Sequence, residues 1–138
     1  MAGYVAPNSV DVNTGTDLIL LHVYNVAGSV RAQINTLIIG PAAVTPADNT
    51  AVYQLTRTTT AGTTPTGTVT VSPNDPLGPA AACVANQGTY ATPPTHNTSG
   101  DLGLLIGVNQ RASFQWYANV GREKIIKAAA NNGIALVS

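Results

Sequence analysis

The chain has 138 residues, 44% of them apolar and 9% charged, with zero formal net charge. That is a length for one domain and enough apolar residue for a core, which excludes a disordered chain. The few Lys and Arg are scattered and make no basic stripe, so nucleic acid is not an expected partner; so neutral a surface suits a protein held inside an assembly.

The opening stretch MAGYVAPNSV lacks the charged start and apolar core of a secretion signal. Residues 1–16 read as an extended arm able to lie across a neighbour, with Tyr4 and Val5 as candidate interface residues. DVNTGTD, from Asp11 to Asp17, alternates oxygen-bearing side chains about a glycine, but lacks the closing acid of a calcium loop and reads as a polar turn. DLILLHVYN, from Asp17 to Asn25, is a continuous apolar run that predicts a strand buried on both faces. Interrupted by His22 and Asn25, it falls well short of the ~20 residues that cross a bilayer, so no membrane is expected as a partner.

Val30 to Gly40 predicts one strand, with Val30, Ala32 and Ile34 on a shared face. Ala51 to Arg57 sets Tyr53 and Leu55 against Val52, Gln54 and Thr56. The threonine-rich span from Thr58 to Gly67 reads as a turn-rich loop within the domain, and Gly67 to Ser72 as a strand with Val69 and Val71 inward. Residues 73–100 hold Pro73, Pro76, Pro79, Pro93 and Pro94 and show no clean alternation, which predicts a long loop excursion towards a neighbouring subunit. Its Leu77, Cys83, Val84 and Tyr90 can still pack, and Leu77 and Tyr90 join the candidate interface residues. The Asn97 sequon, NTS, reads as a polar turn in the absence of a secretion signal.

Leu102, Leu104, Ile106 and Val108 share one face, with Gly103 and Gly107 opposite. Phe114 and Trp116 oppose Ser113, Gln115 and Tyr117, and Tyr117 is a further exposed interface candidate. Arg122 to Asn132 reads as a strand rather than a short helix. Asn132-Gly133 is predicted as a type I′ turn joining the final two strands, of which the last puts Ile134 and Leu136 on one face. The expectation is a single all-β domain over 1–138, an antiparallel β-sandwich or barrel of jelly-roll type, with about seven to nine short strands.

Reactive groups are few. His22 reads as a hydrogen-bonded structural histidine, and His96 as a solvated one. Cys83 is the sole cysteine, so no intrachain disulfide forms, and with His22 and His96 it lacks the paired short spacings of zinc sites. No serine sits in a nucleophile-elbow pattern. No catalytic, cofactor or metal site is therefore expected, and function is expected to come from surface and assembly.

The C-terminal RASFQWYANVGREKIIKAAANNGIALVS joins a Phe-x-Trp strand to an Ala-Asn-Asn-Gly-Ile close. It resembles small β-rich virion proteins of tailed bacteriophages. AVYQLTRTTTAGTTPTG, followed by NDPLGPAAA, is similar to the Thr-Ala-Gly-rich span of those proteins. The likeness covers Ala51 to Ser138. It implies a capsid decoration, or cement, protein, made in host cytoplasm and sited on the virion, that clamps subunits of the major capsid protein as a homotrimer at three-fold positions. The alternative expectation is a receptor- or glycan-binding tip module, whose mark would be a surface cluster of aromatics.

Overall fold

A computed structural model describes residues 3–6, 19–28, 31–40, 48, 50–96 and 104–138. Twelve strands and no helix occupy these residues. They are β1 (Tyr4–Val5), β2 (Ile19–Asn25), β3 (Ala32–Ile34), β4 (Thr36–Ile39), β5 (Thr50–Thr58) and β6 (Thr63–Val69), then β7 (Ser72–Pro73), β8 (Cys83–Thr92), β9 (Leu104–Asn109), β10 (Phe114–Tyr117), β11 (Lys124–Ile126) and β12 (Gly133–Val137). The all-β antiparallel expectation holds.

One sheet organises the fold. Its order is β6-β8-β2-β12-β5-β9, every pairing antiparallel, with β12 in the middle between β2 and β5. The burial of β12 explains that place: all five of its residues are buried, as a strand covered on both faces requires. On one face Leu20, Tyr53, Leu55, Ile106, Ile134 and Leu136 form the main core. The pairs β4–β10 and β3–β11 supply a second layer over it, through Leu37, Ile126, Phe114 and Trp116. Two β-layers closing on one apolar core make a β-sandwich. On the opposite face Ile19, Ala135 and Val137 pack with Tyr90.

Several elements differ from the sequence expectations. Val30 to Gly40 does not make one strand: the chain breaks at Asn35, and β3 and β4 pair with different partners, β11 and β10. The threonine-rich span is mostly strand, because β5 runs on through Thr58 and β6 begins at Thr63, leaving a connection of residues 59–62 that bends at Gly62, φ 71°. Val71 lies outside β6 and is half-buried, whereas Val69 is buried. The excursion over 73–100 contains β8, a ten-residue strand hydrogen-bonded on both sides, so its prolines flank a strand rather than mark a loop throughout. The Asn132-Gly133 hairpin does not form either. β11 and β12 belong to different sheets, and it is Asn131 that takes the left-handed φ of 62°. Asn25, fully buried at the end of β2, ties down that turn by donating from Nδ2 to the Lys127 carbonyl at 2.8 Å and accepting at its own carbonyl from the Asn131 N–H at 2.8 Å.

Candidate interaction surface

The groups with most chemical potential lie on the face opposite the main core. Antiparallel register sets Thr68, Asn86, His22, Ala135 and Thr56 in one row across β6, β8, β2, β12 and β5. Tyr24, Gly133 and Thr58 form the next row, and Gly133 leaves the space that the His22 ring enters from its side. The imidazole is fully buried, stacks on Tyr24 at 4.9 Å and hydrogen-bonds through Nε2 to Thr58 Oγ1 at 2.8 Å. Asn86 donates from Nδ2 to the Tyr24 hydroxyl at 3.4 Å. Among the described residues His22 Nδ1, Asn86 Oδ1, Tyr90 Oη and His96 Nδ1 are buried without a hydrogen-bond partner.

Burial dominates the electrostatics here. Desolvation, helped by His96, lowers the His22 pKa to about 4, so the ring is neutral at pH 7. Desolvation, helped by Tyr24, pushes Tyr90 up to about 12. His22 therefore fits the structural role expected of it. His96 is half-buried, bridges Thr58 through its backbone and acts electrostatically on His22, so the expectation of a solvated loop histidine is corrected. Cys83 does not join them: paired with Asn25, it faces the other side of the sheet, where burial raises its thiol pKa. A zinc site from His22, His96 and Cys83 thus has its ligands on opposite sides of a sheet. The Asp11 to Asp17 turn and the Asn97 sequon lie outside the described residues.

On the main-core side a cleft of about 520 Å³ opens towards the surface. Leu21, Val23, Leu55, Ile126, Ile134 and Leu136 line its interior, and Tyr4, Val5, Arg31, Gln33 and Asn35 line it where side chains are exposed. Such a cleft, apolar within and polar at the mouth, is the usual form of a binding site. It is assembled from segments as distant as β1, β3, β8 and β12, and no periodicity in the sequence announces it.

The expected interface residues divide. Tyr4 and Val5 lie on β1, which pairs with β7 of its own chain, and the Tyr4 hydroxyl donates to the Pro79 carbonyl at 3.1 Å. Tyr4 and Val5 are thus held by their own domain, while residues 7–16 of the expected arm lie outside the described residues. Val5 is 50% exposed, Leu77 95% and Tyr117 62%. Leu77 sits in the Asp75–Gly78 turn, closed by the Gly78 N–H donating to the Asp75 carbonyl at 2.8 Å. Tyr117 pairs with Thr36, another residue lining the cleft. Tyr90 is displaced inward: half-buried, with a buried hydroxyl, it packs on Ile19, Ala135 and Val137 and presents no outward anchor. Missed by the sequence reading were Val120, 98% exposed at a turn, and Leu105, 70% exposed on β9. For Val120 the available signal was an apolar residue at a turn tip, where polar ones are usual; Leu105, inside a continuous apolar strand, gave none. Comparison of the chain with family models, with curated proteins and with solved structures gave no match.

Proposed function

We propose that this chain is a non-enzymatic virion structural protein, a decoration protein that binds the outer surface of a tailed-phage capsid as a homotrimer and stabilises contacts between major capsid subunits. One observation supports this above the rest: two apolar side chains stand exposed, Val5 at the mouth of the cleft and Leu77 in the turn that follows β7. Covering Leu77, 95% exposed, transfers it favourably out of water by ~1.5–3 kcal/mol, and covering half-exposed Val5 gains roughly half as much. Three copies on a three-fold axis would make three such contacts at once, and multivalency converts weak single contacts into stable attachment. The choice of a capsid as partner rests on the sequence likeness over Ala51 to Ser138.

The receptor-tip reading needs aromatics on the surface. Phe114 and Trp116 instead pack against the main core, which leaves Tyr4 on β1 and Tyr117 on β10 as the exposed aromatics among the described residues. Sedimentation of the purified protein with expanded capsids from a panel of tailed phages tests the proposal. Saturable co-sedimentation with the capsid of one phage is expected. A folded protein that stays in the supernatant with every capsid overturns it.

A further inference from the structure

The six-stranded sheet ends in two edge strands, β6 and β9, and the chain treats them differently. β6 contains Pro65, a register shift between Pro65 and Gly67, and Thr64 at φ 47°. Proline withholds a donor and a bulge twists the edge, so a further strand cannot add there in register. β9 has none of these devices. It pairs with β5 without a shift over six residues, and LLIGVN contains neither proline nor charge. Among the described residues no strand covers its outer edge, where about half of its backbone donors and acceptors point.

The side chains of β9 are complementary to one another. On the core face Ile106 is buried and Leu104 and Val108 are half-buried. On the other face Leu105 is 70% exposed, whereas a Cβ built on Gly107 would meet nothing within 4 Å. Gly107 pairs with Val52, itself 52% exposed, so the notch over the glycine has an apolar wall.

We infer that β9 pairs antiparallel with β9 of a second copy, across a two-fold axis centred on Ile106. That register sets Leu105 of each copy opposite Gly107 of the other, so each leucine fills the notch beside Val52. Leu104 meets Val108 on the core face, and Ile106 meets its own counterpart. Centring on Leu105 would leave the notch empty, and centring on Gly107 would oppose Leu105 to the polar Asn109. The contact is isologous, so one match serves twice. An uncharged strand in a chain of zero net charge meets its copy without repulsion. The pairing goes beyond the decoration reading and does not depend on it.

Leu105→Lys alters an exposed side chain and leaves the core intact. Light scattering over a wide concentration range should give the parent protein at least twice the mass of this variant at high concentration, with identical circular dichroism. Equal masses throughout overturn the pairing. Register is read separately, in a Cys83→Ala background. The double variant Leu105→Cys with Gly107→Cys should form disulfide-linked pairs under mild oxidation, and Leu105→Cys alone should form several-fold fewer. No linkage in the double variant, or equal linkage in the single one, sinks the inference. Neither measurement involves a capsid, so the outcome is independent of the proposed function.

Discussion

Gly133 has no room for a side chain. A Cβ there would crowd the Val23 carbonyl oxygen, the Tyr24 Cβ at 2.7 Å and His22 Nε2 at 2.8 Å, in the middle of the sheet. Gly133→Ala should therefore cost about 1–3 kcal/mol, read from urea denaturation. The ring it accommodates gives the fold a pH dependence. Folded, His22 stays neutral down to about pH 4, against an ordinary value of 6.5. Between those values the unfolded chain binds the extra proton. This contribution to stability is then complete above pH 6.5 and declines as pH falls towards 4, by on the order of 3 kcal/mol. Urea midpoints at pH 7 and pH 4.5 should show the loss, and His22→Gln should flatten it. Tyr24, Tyr90 and His96 are the titratable neighbours that face the ring, and burial holds the Tyr90 hydroxyl far above that window.

At the scale of elements, the position of a strand in the sheet sets how firmly it is held. β12 is hydrogen-bonded along both sides and buried on both faces, whereas β6 and β9 are each paired on one side. Native-state hydrogen exchange should find the slowest amides in β12 and faster ones in β6. Ile134→Ala, at 1% exposure in the main core, should cost about 2–5 kcal/mol, while Ile38→Ala, at 60% exposure on β4, should cost about 0.5 kcal/mol or less. Alternation made β2, β5, β9, β10 and β12 legible, because each has one consistent apolar face or is apolar throughout. β8 escaped because CVANQGTYAT mixes small, polar and glycine residues: Asn86 faces the polar row around His22, and Gly88 takes a φ of 82° beside a register shift. The strand is fixed by its two neighbours rather than by its own pattern.

For the whole molecule, the question is what its exposed apolar residues are for. Leu77 and Val5 make no contribution to the buried core, so Leu77→Ser combined with Val5→Ser should leave stability within about 0.5 kcal/mol of the parent. If these side chains anchor the protein on a shell, the same variant should bind capsids at least tenfold more weakly in co-sedimentation titrations. Of the expected interface residues, the exposure of Leu77 was legible from its turn-rich context and that of Tyr117 from its alternation with Phe114 and Trp116. That of Tyr90 was not, since it depends on which strands flank β8.

The sequence by itself determined the all-β class, most of the strands and the faces they bury, since period-two alternation is a local property of the chain. Only the tertiary structure decided the strand order, which places β12 centrally and leaves β9 bare at an edge. It also brought His22 to Thr58 and separated both from Cys83, and it opened the cleft between layers drawn from distant segments. These features depend on pairing between residues far apart in the chain, and no local pattern encodes which strand becomes whose neighbour.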